Sequence, residues 1–162
     1  PSLLISIERC GMTKHGQYLN MRGVDISENT AKLDYLFQDN IATIGIGDGG
    51  NEIGMGNLAK HIPDVESLPL DPSITNTNHL VISSTSNWGG YGLVTAISEL
   101  QNINLLPSME QGSEYLIKAA EAGAVDGMSA KQEPKVDGFS LSEDSQIIQE
   151  LHAYLSKKGI HG

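Results

Sequence analysis

Asp48, Asn51 and Glu52 are three oxygen-bearing side chains inside the stretch Gly45-Ile46-Gly47-Asp48-Gly49-Gly50-Asn51-Glu52-Ile53-Gly54-Met55-Gly56, where half the positions are glycine. Average glycine usage is about 7%, so the backbone here is being brought close to something. Glycine permits that approach and allows turns through positive φ, while the three side chains supply ligation or acid/base chemistry. The plain alternative is a strand-to-helix turn with Asp48 and Asn51 as caps. A cap needs one such side chain and this loop offers three, which favours the chemical reading.

Two phosphate-binding patterns are poor fits. Gly47 to Glu52 misses Gly-x-Gly-x-x-Gly because Glu52 holds the last glycine position, and the frame from Gly45 lacks an acidic residue about 20 positions on. No Gly-Lys-Ser/Thr follows, as a P-loop requires. Gly47 to Glu52 also resembles the Gly-Asp-Gly-x-Asn-Asp loop of haloacid-dehalogenase-type phosphatases, with Glu in place of the final Asp. That resemblance implies a Mg-dependent phosphatase. Its Asp-x-Asp nucleophile would have to lie upstream, since the one earlier strand ends in Glu8-Arg9.

Other residues suit the same neighbourhood. Tyr18, Asn20 and Arg22 alternate, so an extended segment would point all three to one side. A guanidinium forks onto a carboxylate through two parallel bonds, which makes Arg22, and after it Arg9, the candidates for an anionic substrate. Asn87 offers an amide and Trp88 an apolar wall in Ser86-Asn87-Trp88-Gly89-Gly90-Tyr91. Both Arg residues and Trp88 have ordinary structural alternatives. The five His residues are scattered without metal-ligand spacing. Cys10 reads as a small buried hydrophobe rather than a nucleophile.

The elements that must position these groups follow from periodicity. Leu3 to Ile7 is an apolar run expected to form a buried strand. From Ser27 as N-cap, Ala31, Leu33, Leu36 and Phe37 recur at helical spacing up to Asp39-Asn40, predicting about three turns of helix. Ile41 to Ile46 is nearly continuous and β-branched, as in a strand buried on both faces of a parallel sheet. Asn51 to His61 continues as a short helix, and prolines 63, 69 and 72 punctuate a surface excursion. His79 to Ser84 is the third strand, followed by a turn at Asn87-Trp88-Gly89-Gly90 and a helix over Gly92 to Leu100. Ser113 to Ala122 and Ser142 to Leu155 are amphipathic helices, with a turn at Val136-Asp137-Gly138. The expected fold is a single α/β domain over residues 1–162, a mostly parallel sheet flanked by helices in three layers. Loops at the carboxyl ends of its strands, where ligands bind in such sheets, begin at Glu8, Gly47 and Ser86.

The chain has 162 residues and a formal charge of −10. That field repels nucleic acid and anionic membrane surfaces, and no apolar run approaches the ~18 residues of a spanning helix. A single Cys leaves no internal disulfide, which fits a cytoplasmic protein. The opening at Pro1, without Met and immediately before an apolar strand, reads as part of a larger domain. The expected partner is a small molecule carrying a carboxylate, and a homo-oligomer is allowed.

Taken together, Ile7-Glu8-Arg9-Cys10-Gly11, Gly16-x-Tyr18-x-Asn20-x-Arg22, the loop from Gly45 to Gly56, Ser86-Asn87-Trp88-Gly89-Gly90-Tyr91 and Val136-Asp137-Gly138 resemble the C-terminal domain of D-glutamate cyclases over nearly the whole chain. Cys10 stands where that family has a small residue, often Ala. The resemblance implies a lyase interconverting D-glutamate and 5-oxo-D-proline plus water. Asp48 and Glu52 would then serve as base and acid, or hold a divalent ion such as Mg or Mn that polarises the γ-carboxyl. Asn51 and Glu8 complete the catalytic candidates. Backbone N–H groups of Gly49 and Gly50 with Asn87 would face the oxyanion, and Arg22, with Asn20, Trp88 and Arg9 nearby, the rest of the substrate. A non-catalytic amino-acid-binding domain is the remaining alternative.

Overall fold

The computed structural model describes residues 2–38 and 42–161. Contacts group the chain into two compact units, residues 1–89 and 90–162. The class is α/β, and the described residues form an open sheet of three parallel strands with three α-helices.

In the first unit, β1 (Leu3–Ile7), β2 (Ala42–Gly47) and β3 (His79–Ile82) lie in that order. Their register aligns Ile5 with Ile44 and His79, and Ile7 with Ile46 and Val81. All three strands therefore end side by side, and the chain segments leaving them start as neighbours. Central β2 is the buried strand its sequence implies: Ile46 is fully buried. Of the predicted span, Ile41 lies outside the described residues. β1 differs from the expectation of a buried strand, since Leu3, Ile5 and Ile7 are exposed while Ser6 is buried. β1 is an edge strand with side chains alternating between faces, and an all-apolar run cannot reveal which face is covered.

The helix predicted from Ser27 is replaced by two short 3-10 turns, Ser27–Asn29 and Asp34–Phe37; Asp39 and Asn40 lie outside the described residues. Side-chain hydrogen bonds compete with the helix. The Ser27 hydroxyl accepts from the Tyr18 N–H at 2.8 Å, the Ser27 N–H donates to Asp25 at 2.9 Å, and Thr30 donates to the Ile26 carbonyl. Asn51 to His61 likewise forms a 3-10 turn at Gly56–Leu58 rather than a helix, and a second such turn, Ile62–Asp64, follows it. Gly54 sits at φ 105°, and the Asn57 side chain pairs with Thr77 through both its amide groups.

α1 (Ser86–Gln101) begins six residues before the expected helix, so Asn87, Trp88 and Gly90 lie inside it rather than in a turn. Gly89 has a packing reason to be glycine: a Cβ there would meet Ile46 Cγ2 at 2.6 Å and Ser83 Oγ at 2.8 Å, so helix and strand approach too closely for a side chain.

In the second unit, α2 (Met109–Glu121) and α3 (Leu141–Lys157) each start with a reciprocal capping box, Ser108 with Gln111 and Ser140 with Glu143. These pairs satisfy orphan N–H groups of the first turn and set both starts upstream of the expected ones. Gly112 of α2 meets Ile148 of α3, where a Cβ would lie 2.5 Å from Ile148 Cδ1. Leu106, Leu155 and Ile160 form the core with Tyr91, Val94 and Leu151 against them. The Tyr91 hydroxyl donates to buried Asp144, and burial, then that carboxylate, pushes the phenol up to about 12. The expected turn at Val136 to Gly138 closes on Phe139, with Asp137 and Gly138 both at positive φ.

Buried Asp126 fastens this turn by accepting the N–H groups of Ser129 at 2.7 Å and Gly138 at 2.8 Å. Burial raises its pKa, but these donors outweigh burial and hold the carboxyl below its ordinary value. Its stabilising contribution is therefore complete above the unfolded value of about 3.9 and is lost as pH falls through the lower folded value. Urea unfolding of wild type and Asp126→Asn across an acid pH series is expected to give a stability gap that narrows below about pH 4.

Candidate functional site

Three carboxylates meet where the strands end. Glu8 follows β1, Asp48 follows β2, and Glu52 lies on the same loop as Asp48; one oxygen from each is within 4.8 Å of the others. Glu8 is exposed, Asp48 half-buried and Glu52 only 1% exposed. Ionised carboxylates at that spacing repel by about 3 kcal/mol per pair at an effective dielectric constant of about 20. Such a cluster draws in positive charge.

Backbone geometry builds it. Glu8 takes φ 53°, the left-handed region that a side chain like Glu rarely enters, while its N–H still bonds the Ile46 carbonyl. Arg9 and Gly11 then pair with the second loop, through Ile53 N–H to the Arg9 carbonyl and Gly11 N–H to the Asn51 carbonyl, both at 2.8 Å. Glu52 folds back under its own loop, and Oε1 accepts the N–H groups of Asp48 at 3.1 Å and Gly49 at 2.7 Å. Gly47 leaves room for this, since a Cβ there would stand 3.0 Å from Glu52 Cβ and Cδ.

Most glycines of the loop serve packing within the protein. A Cβ at Gly45 would meet the Ile53 carbonyl oxygen at 2.6 Å, one at Gly49 the Met21 side chain at 2.8 Å, and one at Gly56 the Ile74 backbone. Gly50 combines contact with Ile62 and φ 92°, so it needs glycine on both counts. The Gly49 N–H expected to face an oxyanion is engaged by Glu52.

Ser86, which sequence reasoning did not single out, completes the cluster. Its N–H, at the start of α1, donates to Asp48 Oδ2 at 2.9 Å, and its buried hydroxyl donates to Glu8 Oε2. A serine at a strand-to-helix junction is the one local signal that could have marked it. α1 thus presents its positive end to these carboxylates.

The remaining candidates lie outside the carboxylate cluster and make contacts of their own. The Asn51 amide donates to the Leu19 carbonyl at 3.0 Å, tying the loop to the preceding hairpin. Asn20 Oδ1 accepts the N–H groups of Arg22 and Val24, forming a turn. Tyr18 is buried, and the expected row of Tyr18, Asn20 and Arg22 does not form because the segment reverses at that turn. Arg22 lines a cavity of about 370 Å³ with Met21, Glu66 and Asp71. Arg9 donates to the Ala31 carbonyl. Asn87 is exposed and Trp88 half-buried in the first turn of α1. Burial raises the Cys10 thiol, which contacts the Leu19 carbonyl, so it is a poor nucleophile. A larger open hollow of about 480 Å³ lies in the second unit between α2 and α3, lined by Met109, Glu110, Ser113, Glu114, Ile117 and Ser145. It has none of the convergent chemistry found at the strand ends. No described helix is long and apolar enough to cross a membrane.

A protein-family model described as D-glutamate cyclase-like, C-terminal, matches residues 1–152. The mitochondrial D-glutamate cyclase of Homo sapiens is 34% identical over 136 residues, covering 78% of this chain and 21% of that protein. The chain thus spans about a fifth of the length of this curated relative.

Proposed function

The chain belongs to the D-glutamate cyclase-like C-terminal family, and from that premise we propose that it carries the site of a lyase interconverting D-glutamate and 5-oxo-D-proline plus water. The observation supporting this reading is the meeting of Glu8, Asp48 and Glu52 at the ends of parallel strands. Their negative charge attracts an α-ammonium group and offers acceptors for its protons.

In the forward reaction the α-nitrogen attacks the γ-carboxyl carbon. A C–N bond forms, a C–O bond breaks, and the two protons lost by the ammonium leave on the departing oxygen as water. Asp48, half-buried and fixed by the start of α1, takes the first proton. Glu8 lies beside it to pass protons toward the departing oxygen. Glu52 is buried and holds the loop N–H groups, so its part is to position Asp48 rather than to exchange protons. Arg22 receives the α-carboxylate from its cavity beside Met21, which packs on Gly49.

The test is 5-oxoproline formation from D- and L-glutamate by the full-length protein containing this chain. Product from D-glutamate supports the reading, and none from either enantiomer overturns it. Mg-dependent release of phosphate from an aryl phosphate would select a phosphatase instead. A melting temperature raised by D-glutamate without product would select a binding domain.

A further inference from the structure

We propose that Glu8, Asp48 and Glu52 hold one divalent cation of the hard, oxygen-seeking class that includes Mn²⁺, Mg²⁺ and Ca²⁺. The inference rests on the reading that these three residues form one site, and its test does not depend on the reaction.

The first observation is spacing. Oxygens bound to one such ion at about 2.1–2.5 Å stand at most about 4–5 Å apart, and the three carboxylate oxygens already lie within 4.8 Å of one another. The second is burial. Glu52 is 1% exposed; Oε1 accepts two loop N–H groups, while Oε2 is buried with no hydrogen-bond partner among the described residues. A carboxylate oxygen withdrawn from water without a donor is costly unless a ligand meets it, and in a cluster of carboxylates that ligand is a cation.

The surroundings suit the same occupant. Ser86 bonds Glu8 through Oε2 and Asp48 through Oδ2, so both carboxylates are oriented by a neighbouring donor, as metal ligands commonly are. All three donors are carboxylate oxygen, the set that selects Mg, Ca or Mn over softer metals. Charge closes the case: a divalent ion and the substrate ammonium together balance three carboxylates, and the ion gives the γ-carboxylate a positive neighbour.

Mn²⁺ binding to the metal-stripped chain, followed by isothermal titration calorimetry and by loss of the free Mn²⁺ electron paramagnetic resonance signal, tests this. One saturable site is expected, with the thermal midpoint raised by Mn²⁺ and lowered again by EDTA. Glu52→Gln should abolish binding. Glu8→Gln, at an exposed position that leaves the core untouched, should weaken it at least about tenfold, given the loss of one charged ligand. No saturable binding at millimolar Mn²⁺, or equal affinity in wild type and Glu8→Gln, overturns the proposal. Site-specific binding without any 5-oxoproline from the full-length protein keeps the ion and discards the reaction. EDTA-insensitive cyclisation by protein that binds no Mn²⁺ does the reverse.

Discussion

Asp48→Asn in the full-length protein is expected to slow 5-oxoproline formation from D-glutamate by about 10²- to 10⁴-fold, the range for a lost proton-transfer group. Asparagine keeps the shape of the side chain and an oxygen able to accept the Ser86 N–H, which now bonds Asp48 Oδ2 at 2.9 Å. Only the charge and the capacity to take a proton disappear. Stability should therefore stay within about 1 kcal/mol of wild type, or rise as repulsion with Glu8 and Glu52 is relieved. Steady-state kinetics paired with urea unfolding separates the two effects. Undiminished kcat sinks the assignment, and a fall in activity matched by loss of folded protein would make Asp48 structural.

The second large effect concerns a residue outside the site. Asp34→Ala is expected to destabilise the first unit by about 3–5 kcal/mol, because it orphans three donors at about 1–3 kcal/mol each with partial relaxation. Buried Asp34 accepts the Tyr18 hydroxyl at 2.5 Å and the Met12 N–H at 2.8 Å, and also takes the Thr75 hydroxyl. One carboxylate thereby joins the hairpin carrying Tyr18, the loop after β1 and the segment before β3. Burial and then this carboxylate push the Tyr18 phenol above its ordinary range, so it remains a donor at neutral pH. Tyr18→Phe removes one bond and should cost about 1–2 kcal/mol. Urea unfolding measures both, and a loss under about 1 kcal/mol for Asp34→Ala would refute the network's importance.

Asp34 also shows how far a linear reading reaches. Among Leu33, Leu36 and Phe37 it looks like one polar position on an amphipathic helix, yet its partners stand 22, 16 and 41 residues away. Nothing local separates a solvated aspartate from a buried one. Ser86 escaped notice similarly, since its acceptors are 78 and 38 residues distant. Glu52 is legible as a carboxylate on the same glycine-rich loop as Asp48, but its burial and its grip on the Asp48 and Gly49 N–H groups have no signature in the string.

What the sequence determined by itself is what near neighbours control: the bounds of β1, the β-branched centre of β2, the turn at Val136 to Gly138, and the concentration of carboxylate and glycine at Gly45 to Gly56. These follow from side-chain period, branching and backbone freedom, which act over a few residues. Tertiary structure decided which strand face is covered, which glycines serve packing, and which of the polar residues converge. Parallel register is the physical reason. By placing Ile7, Ile46 and Val81 side by side, it draws Glu8, Asp48 and Ser86 together from across the first unit, and only that meeting turns three separate loops into a candidate site.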